Sequence, residues 1–414
     1  MIDPGTPAAQ DVLLAAYAEL QAHVVPRLEH PDAVRSATMI ADLLRHLAAG
    51  RAGQVATNLA ALSADRSAVL TAGKDAMARV AAMEVPVDAA LATTLVREAL
   101  DVGAVIARVG RAAGGYSKDT LFLSGVGADG APIELVVRRD LPFGPAGTTV
   151  VDEYALLTAL HRFDLPIAAP LGLDTTGILG EPAMLSARVA GSSGVEPWAG
   201  NPTLCETVCR ELAQAMARLH AVPVAEVIPA LAGADPADIV RDYVAGWRAR
   251  WIATRTGPSD VLEQCYDWLD ANVPAQVARM AIVHGDIGFH NVMVDDGRVA
   301  AILDWEFAHA GDPVEDLSYV RQFIEPVLDW DRFVGFYRAA GGVEYASENA
   351  GFWEVWRHVR NATCCMTAWH GFVTGKYPAV KMAYQGLELY PRFTEQAGLI
   401  LAAKSAAGDA TAKK

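Results

Sequence analysis

The chain has 414 residues, room for two or three domains of ordinary size. Hydrophobic residues make up 52% of it, enough to fill sizeable cores and too many for wholesale disorder. Lys and Arg number 34 against 49 Asp and Glu, a net charge of −15, which argues against a nucleic-acid partner or an anionic membrane surface, since both reward clustered basic side chains.

The opening residues, Met1 to Asp11, show neither a basic start nor an apolar signal-like core. No uncharged apolar run approaches the roughly 18 residues that span a bilayer, so the expected location is the cytoplasm, with no membrane partner. Residues 1–105 read as an N-terminal helical bundle with bland chemistry. Leu13, Tyr17, Leu20 and Val24 recur at helical spacing, as do Ile40, Leu43, Leu44 and Leu47, and a third stripe runs through Leu91, Leu95 and Leu100.

From residue 106 the pattern changes to short β-like runs between glycine-rich turns. In PIELVVRR, Ile133, Leu135 and Val137 fall on one face of a strand and Glu134, Val136 and Arg138 on the other. A helix is expected over 149–162 and another strand near Ala183–Val189. Residues 106–190 thus form a small α+β lobe. Residues 191–405 are mainly helical, with one β island around MAIVHGD, NVMVDDG and VAAILDW, and 406–414 read as a flexible tail. The five cysteines, Cys205, Cys209, Cys265, Cys364 and Cys365, are odd in number and scattered, unlike a secreted disulfide framework or a zinc site.

The β island carries the chemistry. An apolar strand ends at His284-Gly285-Asp286, Asn291 follows five residues later, and a second strand ends at Asp304-Trp305. That spacing places an Asp, an Asn and a second Asp at the ends of neighbouring strands. Two of them can share one hard cation, for which magnesium's preference for oxygen ligands is suited, while the first Asp stands free to meet a hydroxyl. Phosphoryl transfer needs such positioning and charge neutralisation more than covalent help.

The segment resembles the catalytic core of the aminoglycoside phosphotransferase and choline kinase-like family, closest to the kinase-like domains associated with acyl-CoA dehydrogenases. The residues that carry the resemblance are His284-Gly285-Asp286 with Asn291, then Leu303-Asp304-Trp305-Glu306, then Gly311-Asp312-Pro313 with Asp316 and Leu317. It covers residues from about 106 to 400 and leaves out the N-terminal helices. It implies a bilobal protein-kinase-like fold, ATP as phosphoryl donor (GTP left open) and Mg2+. By the same resemblance Asp286 is the catalytic base, Asn291 and Asp304 hold the metal, and Asp316 braces the catalytic loop. Gly114, Gly115 and Ser117 would cradle phosphate, and the backbone around Ala187 and Val189 would meet adenine. Where the family's third strand ends in Lys, this chain has Arg138, with Glu153 at its partner's position; Arg keeps the charge but forks differently.

The expected reaction is transfer of the γ-phosphoryl group to a hydroxyl of a small molecule. Two other readings stay open. One is a catalytically silent nucleotide-binding module, motivated by Arg138. The other is a metal-dependent hydrolase using His284, Asp286, His290, Asp304 and His309. Trp353, Trp356, Trp369 and Tyr377, with His358, His370 and Lys376, either fill the core or line an aromatic substrate pocket; Glu315 and Glu354 could add acidic walls. The N-terminal helices could dimerise the chain, cap the cleft or brace the small lobe.

Overall fold

A computed structural model of the chain describes residues 17–18, 20–28, 31–48, 78–100, 102–112 and 115–412. The alternation in PIELVVRRD sets the small lobe. Strands β1 (Val105–Arg111), β2 (Lys118–Val126) and β3 (Pro132–Asp140) form a meander. β4 (Pro170–Asp174) and β5 (Ala183–Ala187) complete an antiparallel sheet of order β1-β2-β3-β5-β4. One face carries Leu121, Leu123, Leu135, Val137 and Leu185, which share a core with Ala92, Leu95 and Val96 of a helix, α1 (Ala89–Leu100). Burying this one face of aliphatics is what fixes the register, because a one-residue slip would turn them to the other side. The opposite face, with Phe122, Val136, Arg138 and Met184, looks into the cleft between the lobes.

Helix α2 (Val150–Leu160) packs against β3, β4 and β5 on the sheet's cleft side. It begins at a capping box, with the Thr149 side chain and Asp152 satisfying each other's backbone N–H groups. Its Leu157 and Leu160 are buried against Met184 and the large lobe's core. That core surrounds α3 (Pro202–Ala221), whose Cys209, Leu212, Ala213 and Met216 have no exposed surface. Beside it stand the short strands β6 (Ser192–Ser193), β7 (Ala281–Val283), β8 (Val292–Asp295), β9 (Arg298–Ile302) and β10 (His309–Gly311). They form two small sheets, β6-β8-β9 and β10-β7. A second core joins α4 (Pro236–Thr254), α5 (Asp260–Ala271), α6 (Ser347–Val373) and α7 (Tyr390–Ala412) around Trp251, Trp353 and Trp356. The architecture is α+β and bilobal, with a β-rich small lobe and a mainly helical large lobe, as expected.

The N-terminal helices go separate ways. Helix α1 belongs to the small lobe's core, whereas the helix Pro31–Ala48 packs on Val380–Tyr384 in the large lobe, with Arg45 Nη2 2.6 Å from Glu388 Oε1. Within it Met39 and Ala41 are buried, while Ile40 of the expected stripe is 44% exposed. Leu13 lies outside the described residues. At the other end, α7 continues to Ala412 through the stretch expected to be a tail, in keeping with its alanine content and lack of proline. Among the described residues no helix is long and apolar enough to cross a membrane, and all five cysteines are free.

Candidate active site

A cavity of about 410 Å³ opens between the lobes, inside the range usual for small-molecule sites. Thr120, Phe122, Val136 and Arg138 form its roof, Ser186 to Val189 its back edge, and Asn291, Leu303 and Asp304 its floor. At the back edge the Ala187 N–H is taken by the Ala169 carbonyl (2.9 Å) and the Arg188 N–H by the Glu134 carbonyl (3.3 Å). Of the three amides, that of Val189 is the one left for a ligand among the described residues.

The floor is held by a buried carboxylate. Asp316, on the helix Pro313–Ile324, accepts the backbone N–H groups of His284 and Gly285, each at 2.8 Å, and His220 Nε2 at 3.0 Å. Burial would raise its pKa, but the His220 bond and charge, with the His284 ring and amide, hold it below the ordinary Asp range. Gly285 has φ +78, and a Cβ there would lie 2.7 Å from the Phe307 carbonyl, so glycine is required at this bend. The chain then presents Asp286. Its Oδ2 accepts Asn291 Nδ2 at 3.0 Å and lies 3.5 Å from His290 Nε2. Its Oδ1 lies 3.6 Å from Nη2 of the buried Arg360. Burial opposes its charge, but His290, Arg360 and a hydrogen bond from Tyr319 hold its pKa below the usual carboxylate value. Because the Asn291 amide nitrogen is spent on Asp286, its oxygen is the end left to coordinate.

Asp304 takes left-handed backbone angles, φ 65 and ψ 65, which Asp tolerates better than most side chains. Its Oδ1 receives Arg138 Nη2 at 2.7 Å, and the same nitrogen lies 3.3 Å from Glu153 Oε2. Burial lowers the Arg138 pKa, but the two carboxylates more than offset this and raise it. Glu153 is 3% exposed, and its desolvation outweighs Arg138, so its pKa is raised. Two residues beyond Asp304, burial and Asp304 push Glu306 up to about 8. Ser117 donates a hydrogen bond to Glu306, tying the small lobe's β1–β2 turn to the large lobe.

The chain matches the profile of the phosphotransferase enzyme family over residues 108–350, more than half its length. It belongs to that family. The proteins it resembles include mouse acyl-CoA dehydrogenase family member 10, 27% identical over 194 residues, which are 45% of this chain and 18% of that protein. Viomycin phosphotransferase of Streptomyces vinaceus is 29% identical over 173 residues, 40% of this chain and 59% of that one. The chain therefore spans less than two thirds of either relative's own length. The crystal structure of a candidate aminoglycoside phosphotransferase from Ralstonia eutropha aligns with a TM-score of 0.56 at 19% identity, covering 76% of this chain and 98% of that one. The fold is the kinase-like phosphotransferase fold.

Within this family member, the expected residues Arg138, Glu153, Ala187, Val189, Asn291 and Asp304 line one cleft, and Asp286 is hydrogen-bonded to Asn291 at its floor. The phosphate turn needs correction. It joins β1 to β2, Val105–Arg111 being an edge strand interrupted by Arg108 and Gly110, of which only Ile106 is buried. Gly114 lies outside the described residues. Gly115 has φ +141, but it and Ser117 do not line the cleft; Ala112 and Thr120, on either side of the turn, do.

Trp353 and Trp356 fill the core and line no substrate pocket among the described residues. Trp353 Nε1 donates to Asp312 (3.2 Å) and Trp356 Nε1 to Glu315 (3.1 Å), so both indoles are core anchors of the Gly311-Asp312-Pro313 segment. Glu315 is buried with them, and Glu354 pairs with Lys404 at 2.9 Å. The hydrolase ligand set also fails. His284 spends Nδ1 on the Asp286 N–H (3.2 Å) and Nε2 on the Leu303 carbonyl (2.9 Å). His309 has its Nδ1 2.9 Å from the Phe307 carbonyl and its Nε2 3.1 Å from Glu315. Sequence reading gave no role to Arg360, Tyr319 or Glu306; Arg360 comes from a helix whose local sequence carries no chemical signal.

Proposed function

We propose that the chain is an ATP- and magnesium-dependent phosphotransferase that moves the γ-phosphoryl group to a hydroxyl of a small molecule. The observation that carries the reading is the meeting at one cleft of Arg138 and Glu153 from the small lobe with Asn291 and Asp304 from one segment of the large lobe, Asp286 being hydrogen-bonded to Asn291 beside them. Phosphoryl transfer asks of a protein these things: cationic contact with phosphate, oxygen ligands for a hard cation, and an acceptor for the substrate proton.

Arg138 supplies the cation, held by Glu153 so that its fork faces the cleft. The Asn291 amide oxygen and the Asp304 carboxylate, whose side chain is 34% exposed, are the hard oxygen donors magnesium takes, and they fit it. When bound, magnesium neutralises phosphate charge. Asp286 receives the proton of the acceptor hydroxyl, its carboxylate oriented by Asn291 and His290. The Val189 N–H is the donor for the base. Support for nucleotide comes also from the fold neighbour spectinomycin phosphotransferase, crystallised with ADP and spectinomycin, with a TM-score of 0.50 at 12% identity.

The test is ATP consumption by purified protein with magnesium against a pooled library of alcohols, phenols, hydroxylated metabolites and aminoglycosides, beside Asp286→Asn. Hydroxyl-dependent turnover that disappears in the variant is the expected result and names the acceptor class. Tight Mg-ATP binding without transfer would move the protein to a silent nucleotide-binding module. No nucleotide binding would end the reading.

A further inference from the structure

Arg360 sits in the middle of the 27-residue helix Ser347–Val373 and has no exposed surface. A buried guanidinium is costly unless charge and hydrogen bonds compensate it. Its neighbours say what the compensation is for. Nη1 donates to the carbonyl of Gly285, and Nη2 lies 3.6 Å from Asp286 Oδ1. Nε and Nη2 reach the neighbouring Asn361 Oδ1 at 3.3 and 3.1 Å. The guanidinium carbon stands 4.3 Å from the ring centre of Phe307 and 5.8 Å from that of Tyr319. Asp286 is its sole ion-pair partner among the described residues.

Two of these contacts act on the same residue from different sides. Pinning the Gly285 carbonyl fixes the peptide that joins Gly285 to Asp286, and with it the direction in which the Asp286 side chain leaves the backbone. The contact with Oδ1, too long for a hydrogen bond, is a charge contact that opposes rotation of the carboxylate. At the other end Oδ2 is held by Asn291 and His290. The stacking of Phe307 couples the same guanidinium to the loop that carries Asp304.

We propose that Arg360 is a positioning residue for phosphoryl transfer, fixing the Gly285–Asp286 peptide and holding Asp286 Oδ1 so that the carboxylate has one orientation toward the acceptor hydroxyl. The proposal rests on the phosphotransferase reading above and assigns a role to a residue that touches neither the cleft's roof nor its metal ligands. A purely structural arginine would act on folding alone. A positioning one acts on the chemical step, where a displacement of about 1 Å costs roughly 10²-fold in rate.

The experiment measures kcat and KM for ATP with magnesium, with water or the identified hydroxyl compound as acceptor, and the Kd for ADP by calorimetry. Arg360→Lys keeps the charge and loses the fork. It is expected to lower kcat by roughly 10²-fold while KM and the ADP Kd stay within about twofold. Arg360→Ala, if it folds, is expected to regain rate on addition of guanidinium at sub-denaturing concentration. In an Asp286→Asn background Arg360→Lys should add no further loss of kcat, since the residue it acts through is already disabled. Unchanged kcat in Arg360→Lys, a parallel loss of kcat and ADP affinity, or full additivity with Asp286→Asn would each overturn the positioning role. Absence of turnover in the unsubstituted protein would overturn the phosphotransferase reading itself, a separate outcome.

Discussion

A single nitrogen of Arg138 serves two carboxylates, lying 2.7 Å from Asp304 Oδ1 and 3.3 Å from Glu153 Oε2. The first partner is the proposed metal ligand and the second is buried, so the arginine joins the small lobe's helix to the large lobe's metal loop. Removing it by Arg138→Met would leave Glu153 buried without a counter-charge, at a cost of about 3–5 kcal/mol. Chemical denaturation should show that loss, and Arg138→Met with Glu153→Leu should recover most of it. A single-variant loss below about 1 kcal/mol would mean that the pair carries little of the stability.

Arg138→Lys addresses function more than folding. A lysine ends one atom short of the Nη2 that reaches both carboxylates, and its ammonium is a compact point charge. Releasing Asp304 from an ion pair worth about 1 kcal/mol should lower the magnesium concentration for half-maximal nucleotide binding by roughly fivefold. A titration of magnesium against ADP binding reads this directly, and an unchanged midpoint would remove Arg138 as a competitor for Asp304.

Asp286 and Asp304 are expected to fail differently. Asp286→Asn should reduce turnover by about 10²- to 10⁴-fold with ADP binding intact, the usual worth of a positioned proton acceptor. Asp304→Asn should weaken magnesium-dependent ADP binding while leaving the denaturation midpoint close to that of the unsubstituted chain. A large loss of folded protein in Asp304→Asn would mark Asp304 as structural.

Asp316 links the sequence motif to acid stability. Its pKa is lowered in the folded chain, so the stability it contributes is present above the ordinary Asp value of about 3.9 and is lost as pH falls through the folded value. Asp316→Asn should therefore be destabilised at neutral pH and show a flatter fall in stability below about pH 4. Equal acid slopes in the two proteins would show that the His220 and amide contacts do not stabilise the charge.

Much of this site was legible because its residues lie in one 33-residue stretch, from His284 to Asp316, where strand, turn and polar residue alternate at fixed spacing. Arg138 was legible on one face of a strand of period two, and the family resemblance supplied its pairing with Glu153. Arg360 was not, because its meaning arises only when α6 packs against the Gly285 turn. The same holds for Trp353 and Trp356, whose indole N–H groups find Asp312 and Glu315 across 41 residues of sequence. Strand β1 escaped notice because an edge strand buries little, and only Ile106 of its seven residues is buried.

His358, on the helix that carries Arg360, gives a pH prediction independent of the cleft. Its Nε2 accepts Arg357 Nε at 3.2 Å, and its Nδ1 is buried without a hydrogen-bond partner among the described residues. Burial first, and then Arg357, push its pKa down to about 4 from an ordinary 6.5. Between those values the unfolded chain binds a proton that the folded chain refuses, so stability falls as pH drops through the window and the penalty is complete below about 4. The full swing is about 3 kcal/mol, and partial exposure of the ring lets it realise only part of that. His358→Leu removes the titrating group, and it also removes the orphaned N–H. Denaturation at pH 7 and pH 5 should show a smaller pH dependence in the variant than in the unsubstituted chain. An identical dependence would mean that water reaches the imidazole and that its charge costs nothing in the fold.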